Sequence, residues 1–241
     1  MNVRRIEHLV EPERLFLVWQ SPDLSGDRTR RVVGGLRKSA GGCVELRYLT
    51  ETDDFRAARS EGFEGYPAFP LDRDQPFPNV LNVLLRRLPP SSRSDYSRYL
   101  ESLCLSPDSS VSPFALLGYS GAMLPSDSFS VAHPFDDAPV PCEFLLEVAG
   151  VRHYWSDEQP VAVGAAAHFV PEPTNPRDPL AVRIDSDSRC IGYVARPQTR
   201  AVQDWLNHAE ISAEVHRVNG IPERRRILLF VRVRQRTKAA A

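Results

Sequence analysis

Apolar and polar residues alternate in three short stretches near the start of the chain, which predicts a small sheet. The stretches cover residues 15–20, 31–36 and 44–48, and each has the length and period-two alternation of a strand. Gly41 and Gly42 lie between the second and third stretches. Glycine accepts the positive φ angles of a tight turn, so these two strands are expected to form a hairpin.

After residue 54 the apolar spacing changes to that of helices. Helices are predicted over 55–61, over 80–88 up to Pro89, and from Ser94 or Asp95 through Leu103. Ser112 is placed to cap a further helix with Pro113 at its first position. Residues 126–131 alternate again and predict an edge strand.

The region from His168 to Leu206 has a different order of elements. Residues 162–170 are small and apolar, prolines punctuate a loop up to Pro179, and residues 180–185 and 190–194 predict strands on either side of a turn. Residues 198–206 then carry an apolar helical face. This order predicts a small β-barrel rather than a βαβ unit.

The predicted fold class is therefore α+β with two domains. Residues 1–137 form a small sheet with helices, residues 138–236 form a barrel with one or two short helices, and residues 237–241 form a disordered tail. The segment 136–141 reads as the linker.

Short motifs in the last hundred residues resemble the HIRAN domain in order and spacing. Residues 149–154 correspond to the opening strand and first turn of that family, and 227–233 to its closing strand. The matching residues between them are Glu172, Pro173, Asn175, Pro176, Asp178, Ala181, Val182, Ile191, Gly192 and Tyr193. The resemblance implies an OB-like barrel that binds the 3′ end of single-stranded DNA.

The same resemblance implies a DNA-binding site formed by the first turn, by the NPxD turn (residues 175–178) and by the end of a strand. Its candidate residues are Arg152, His153, Tyr154, Arg177, Asp178, Tyr193 and Arg196. Many family members carry an aromatic residue at the position of Arg177. Asp178 either accepts a hydrogen bond from a terminal hydroxyl or closes an Asx turn. One ring of the pair Tyr154 and Trp155 is expected in the core, because neighbouring strand residues face opposite sides.

Residues 14–135 resemble, more weakly, the N-terminal domain of HipA-type toxin kinases. The resemblance rests on residues 84–89, 96–105 and 112–117, followed by Gly118 and Gly121. It implies an adaptor domain whose partner is a kinase body or a related defence component. The chain has no Gly-rich loop with a downstream Lys and no catalytic Asp loop, so no kinase activity is expected from it.

Charge separates the two parts further. The net charge is −1, yet from Asn175 onward there are 13 Lys and Arg residues against 7 Asp and Glu, which leaves 17 against 24 before it. A local basic surface attracts phosphate even when the whole protein is neutral. Nucleic-acid binding is therefore predicted for the C-terminal part, and the Pro- and aromatic-rich loop 62–78 of the acidic part is a candidate protein contact.

The remaining patterns do not predict catalysis. The four cysteines and six histidines are scattered without metal-ligand spacing, and the acidic pairs fall in predicted turns. Gly118-Tyr119-Ser120-Gly121 resembles a nucleophile elbow, but a helix and not a strand precedes it, so a helix exit is predicted. A serine hydrolase and a metal nuclease are the catalytic alternatives. We expect no cofactor.

The predicted function is non-catalytic binding of single-stranded DNA at 3′ ends, with an N-terminal domain that binds protein. The rival is an antitoxin-like protein-interaction component of a toxin–antitoxin or defence system that does not bind DNA. No apolar run of about 18 residues occurs and residues 1–15 lack a signal-peptide core. A cytoplasmic protein without a membrane partner is therefore expected.

Overall fold

The computed structural model describes residues 4–22, 29–39, 41–72, 74–124, 127–136, 138–221 and 225–236. The chain divides into two compact units. The N-terminal unit comprises Glu11–Leu103 and Pro107–Pro134, and the C-terminal unit comprises Met1–Val10, Cys104–Ser106 and Phe135–Ala241. The mixed α+β class is confirmed. The domain boundaries after residues 137 and 236 remain predictions, and the predicted tail at 237–241 lies outside the described residues.

The N-terminal unit contains the strands β1 (Arg14–Gln20), β2 (Arg30–Lys38), β3 (Val44–Tyr48), β4 (Gly65–Tyr66), β5 (Phe69–Pro70) and β6 (Phe129–Ala132). Four of them form an antiparallel sheet in the order β3-β2-β1-β6, and β4 and β5 form a separate small hairpin. Its helices are α1 (Asp53–Ser60), α2 (Leu81–Leu85), α3 (Tyr96–Ser102) and α4 (Pro113–Ser120). The predicted strands and helices are present, and their ends differ by a few residues.

Helix α4 ends as its sequence predicts. Ser112 Oγ accepts a hydrogen bond from the Ala115 amide at 3.0 Å, and Gly121 adopts the left-handed conformation with φ of 73°. A Cβ atom on Gly118 would lie 2.7 Å from Leu15 Cδ2 and 3.1 Å from His133 Cβ. The glycines therefore permit close packing and a helix exit, which confirms the prediction made for this tetrapeptide.

The aromatic residues of the loop 62–78 belong to the core of the N-terminal unit. Phe63 is 1% exposed, and its ring lies 5.5 Å from that of Trp19 and 5.7 Å from that of Phe55. Tyr66 and Phe69 are buried as well. Phe77 is half-buried and packs against this core. Because buried rings cannot anchor a partner, the hypothesis that the loop aromatics form a protein contact is wrong for Phe63, Tyr66 and Phe69, and it remains a prediction for Phe77.

A buried arginine, Arg87, connects helix α2 to the segment before strand β6. Arg87 donates to both carboxylate oxygens of Asp127 at 2.6 and 2.8 Å, and to the carbonyl oxygens of Ala122 and Phe129 at 2.7 and 2.8 Å. Burial opposes ionisation of the Asp127 carboxyl, but the hydrogen bonds from Arg87 outweigh it and lower the pKa of that group. The cation is fully used within the unit.

The C-terminal unit contains the strands β7 (Cys142–Glu147), β8 (Ala166–Pro171), β9 (Val182–Ser186), β10 (Arg189–Tyr193), β11 (Ala209–Asn219) and β12 (Arg226–Gln235), with helix α5 (Arg196–His208) before β11. The strands form a six-stranded antiparallel sheet in the order β10-β9-β8-β11-β12-β7. The opening strand lies upstream of its predicted position, because residues 151–153 form a 3₁₀ turn.

One bridge connects the two outer regions of this sheet. Ala149, just after β7, and Tyr193, at the end of β10, exchange two backbone hydrogen bonds of 2.8 and 2.9 Å. A Cβ atom on Gly192 would lie 2.4 Å from the carbonyl oxygen of Ala149, so only glycine allows the two backbones to approach this closely. A fully closed barrel remains a prediction.

The first described residues of the chain pack on this unit and run beside strand β7. The Ile6 amide donates to the Cys104 carbonyl oxygen at 2.8 Å, and the carboxylate of Glu143 accepts from the His8 amide at 2.8 Å. Ile6 and Val10 are buried. Because β7 is the last strand of the sheet, this segment covers its free edge.

Candidate nucleic-acid interface

The turn after β7 brings two predicted site residues to the surface. Gly150 adopts a left-handed conformation with φ of 75°, and Val151 buries its side chain in the core. The 3₁₀ turn that follows leaves Arg152 and His153 exposed. Arg152 Nε donates to His153 Nε2 at 3.0 Å, so the guanidinium and the imidazole lie side by side.

Two half-exposed tyrosines stand next to this turn. The rings of Tyr154 and Tyr193 have centroids 5.9 Å apart and planes inclined by 55°. The bridge between Ala149 and Tyr193 fixes the backbone beneath them. Trp155 is half-buried like Tyr154, so the prediction that one of these two rings is a core residue is wrong. Both are available at the surface in part.

Glu172 holds the predicted site together, although the sequence analysis assigns it no role in binding. Its carboxylate accepts from Tyr193 Oη at 3.0 Å, from Asn175 Nδ2 at 3.0 Å and from Arg183 Nη1 at 2.7 Å. Arg183 also makes two hydrogen bonds to Asp185, of 2.8 and 2.9 Å. Tyr193, the NPxD turn and strand β9 are therefore tied to one carboxylate.

The protonation of this network follows from its contacts. The hydrogen bond from Asn175, with those from Tyr193 and Arg183, lowers the pKa of Glu172. Burial, together with the neighbouring Tyr154 and Glu172, raises the pKa of Tyr193. At neutral pH a carboxylate thus faces a protonated phenol, which is the arrangement that the hydrogen bond requires.

The NPxD turn is organised by its own side chains. Asn175 Oδ1 accepts from the amides of Arg177 and Asp178 at 3.0 and 3.3 Å, and Asp178 Oδ1 accepts from the Leu180 amide at 2.9 Å. Asp178 therefore forms the Asx turn. Its second oxygen, Oδ2, lies 3.8 Å from Arg196 Nε, so one oxygen of the carboxylate faces away from the turn and towards a cation.

Contacts link several of the candidate residues into two adjoining groups, whereas Arg152 and His153 contact each other and lie in neither group. Tyr154, Tyr193 and Glu172 form one group, and the NPxD turn with Arg196 forms the other, joined by the hydrogen bond between Glu172 and Asn175. Within the described part of the chain, no carboxylate forms an ion pair with Arg152 or Arg177. Both guanidinium groups are exposed, so they can pair with phosphates.

Sequence reasoning missed Arg183 and undervalued Glu172. Arg183 lies between the buried residues Val182 and Ile184 on strand β9, so the alternation predicted an outward side chain there. It could not show that the outward side chain meets Glu172. Glu172 was present in the motif, but only the fold brings it to Tyr193, 21 positions along the chain.

The described residues contain no group of three or more His, Cys, Asp or Glu side chains that could hold a metal ion. None of the described helices is long and apolar enough to cross a bilayer. All four cysteines are free thiols. Burial raises the pKa of Cys104 to about 11 and that of Cys142 to about 12, so both stay protonated at neutral pH.

The comparisons with known proteins agree with the resemblance found in the motifs. The family model described as the HIRAN domain matches residues 142–235. This part of the chain is a HIRAN domain. The candidate residues from Arg152 to Arg196 all lie inside the matched range, as do Glu172 and Arg183. The proposed likeness of the N-terminal unit to the toxin-kinase domain remains a prediction.

A solved structure similar to this chain is the crystal structure of the HIRAN domain of human HLTF. The two chains are 19% identical in sequence, the match covers 38% of this chain and 74% of the HLTF chain, and the TM-score is 0.30. No curated protein matches the chain.

Proposed function

We propose that the HIRAN domain of this protein binds single-stranded DNA and that it acts at the 3′ end of the strand without catalysing a reaction. The observation that carries the proposal is the contact between the half-exposed rings of Tyr154 and Tyr193, with the exposed Arg152 in the turn that leads into Tyr154. Bases stack on such rings whatever their sequence, and Arg neutralises the backbone. The expected ligand is therefore a strand and not a particular sequence.

The carboxylates of the site support the preference for an end. Asp178 Oδ2 and the carboxylate of Glu172 lie among the rings and cations of the site. A carboxylate accepts a hydrogen bond from a free hydroxyl and repels a terminal phosphate. Our proposal therefore places the terminal 3′-hydroxyl near Asp178, with the last bases against the tyrosines.

We also propose that the N-terminal unit binds a protein. Residues 11–103 and 107–134 carry 14 Lys and Arg against 16 Asp and Glu, so this unit has no positive excess that would attract phosphates, and its buried aromatic core shows that it has its own packing. Because Phe63, Tyr66 and Phe69 are buried, the contact must use other residues. Purification of the full-length protein together with any bound protein partner tests this proposal, and recovery of no partner would contradict it.

Titration with labelled oligonucleotides tests the binding proposal. A single strand with a free 3′-hydroxyl is compared with the same strand carrying a 3′-phosphate and with the blunt duplex. We expect the free-ended single strand to bind most tightly. Equal binding of the free and blocked strands would exclude end recognition, and binding of none of the three would overturn the proposal.

Two tyrosine variants complete the test. Tyr193→Ala removes a ring of the proposed site, whereas Tyr96→Ala removes a half-exposed ring of helix α3 in the N-terminal unit. Only the first is expected to weaken binding. The same loss in both variants would show that the effect does not come from the site.

A further inference from the structure

A second aromatic and cationic cluster follows the tyrosine pair directly in the chain. Trp155 stands next to Tyr154, and the guanidinium carbon of Arg225 lies 5.1 Å from the centroid of the Trp155 ring. Arg225 belongs to the segment just before β12, so it comes from a different part of the chain. Trp155 contacts this segment, while Tyr154 contacts the end of β10.

Among the described residues, none accepts a hydrogen bond from the guanidinium of Arg225. Its Nε is buried, and none of the described residues offers it an acceptor. Its Nη2 lies 3.8 Å from Asp157 Oδ1, which is an ion-pair distance but too long for a hydrogen bond. The side chain is 28% exposed, so its terminal nitrogens, and not the buried Nε, are the donors that a ligand with acceptor oxygens can use.

Asp157 is the group that such a ligand would replace. Its side chain is 76% exposed, and its Oδ1 accepts from Trp155 Nε1 at 2.7 Å while it faces Arg225. An exposed carboxylate at this place offers the same charge and the same acceptor oxygens as a phosphate diester. Because exposed ion pairs contribute little, its displacement costs little.

Next to Arg225, Arg226 has a carboxylate partner in the sheet, since its guanidinium pairs with Glu147 at 2.5 Å. Arg224 lies outside the described residues. Of the two described arginines in this run, Arg225 is thus the one that combines a stacked ring with unused donors. This separates it from an ordinary charged hairpin tip.

We propose that Trp155 and Arg225 form a second subsite for single-stranded nucleic acid. It binds the base and phosphate that lie on the 5′ side of those bound at Tyr154 and Tyr193. The base stacks on the indole, and the phosphate replaces the Asp157 carboxylate at Arg225. The inference rests on the proposed function and extends it from the strand end to the adjoining stretch of the strand. It predicts that longer strands bind more tightly than strands that fill only the tyrosine site.

The decisive variant is Asp157→Asn, because it should strengthen binding, and a gain cannot arise from misfolding. Loss of the competing carboxylate leaves Arg225 free for phosphate. The affinity for an oligonucleotide of about 12 nucleotides should rise about two- to fivefold. The affinity for one of about 4 nucleotides, the smallest site of comparable binders, should not change.

Asp187→Asn is the matched control. Asp187 is exposed in the turn before β10, at the opposite end of that strand from Tyr193, and its replacement changes the net charge by the same amount. Asparagine tolerates the positive φ of this position. An equal gain in this control would show a general charge effect and would overturn the subsite.

Trp155→Ala supplies the opposite test. We expect the affinity for the longer oligonucleotide to fall about five- to a hundredfold through the lost stacking, while the short one binds as before. Equal losses on both lengths, or no gain with Asp157→Asn, would overturn the second subsite and leave the proposed function intact. Failure of the unmodified protein to bind either length would overturn both.

Discussion

Aromatic residues have opposite roles in the two units. In the N-terminal unit, Phe63 and its neighbours in the loop 62–78 lie inside the core. In the C-terminal unit, Tyr154, Trp155 and Tyr193 are half-exposed around one turn. Both stretches contain aromatic residues outside long helices or strands, so residue type alone does not distinguish them. The difference lies in whether other segments cover the rings.

Arginines repeat this contrast. Arg87 is buried and donates hydrogen bonds to Asp127 and to backbone carbonyl oxygens, so it stabilises residues 122 and 127–129. Arg152 and Arg177 are exposed and have no ion-pair partner among the described residues. A buried cation with every donor paired is a structural element, whereas an exposed cation beside half-exposed rings is a candidate for binding.

The largest expected effect concerns the buried aromatic residues of the N-terminal unit. Phe63→Ala should lower the free energy of unfolding by about 3–5 kcal/mol, because it removes a fully buried ring that contacts the rings of Trp19 and Phe55. Urea-induced unfolding measures the loss. Phe16→Ala is the control, since Phe16 on β1 is only half-buried. Equal losses in the two variants would contradict the assignment of the loop to the core.

The next effect concerns the segment that covers β7. Ile6→Ala should cost the C-terminal unit about 2–5 kcal/mol, because Ile6 is buried, whereas Arg5→Ala, on an exposed neighbour, should change stability by less than about 0.5 kcal/mol. A fragment that starts at residue 138 lacks this segment, so we expect it to be less stable than the full chain. Thermal unfolding of the full chain, the two variants and the fragment checks this, and equal midpoints would show that the segment adds nothing to stability.

A smaller effect tests the binding side. Tyr193→Ala should weaken single-strand binding by about 1–3 kcal/mol with an unchanged salt dependence, because stacking releases no counterions. Tyr193→Phe keeps the ring and loses only the hydrogen bond to Glu172, so it should keep most of the affinity. If the Phe variant loses as much as the Ala variant, the hydroxyl and not the ring is responsible for binding.

The smallest effect distinguishes cations from rings. Arg152→Gln should reduce the slope of log affinity against log salt by about 0.7, the value for one lost phosphate contact on a single strand. Arg232→Gln on β12 is the comparison, since that guanidinium already covers the Phe230 ring at 4.6 Å. Titrations at several salt concentrations measure both slopes. An unaltered slope in Arg152→Gln would show that Arg152 does not contact a phosphate.

The sequence by itself determined the local elements and the family of the C-terminal part. Strands β1 to β3 follow from period-two alternation, and the start and end of α4 follow from Ser112, Pro113 and Gly121. The order and spacing of short motifs between residues 149 and 233 indicated the HIRAN domain, which the family model at residues 142–235 confirms. These features depend on residues close together in the chain, and local conformational preferences act at that range.

Only the tertiary structure decided which side chains meet. Strand order brings Glu172 to Tyr193, and it brings Arg225 to Trp155. It also covers the rings of the loop 62–78, which the sequence left as candidates for a protein contact. Periodicity reports whether a side chain faces inwards or outwards along its own segment. It carries no information about which distant segment lies opposite, because that depends on how all the strands pair.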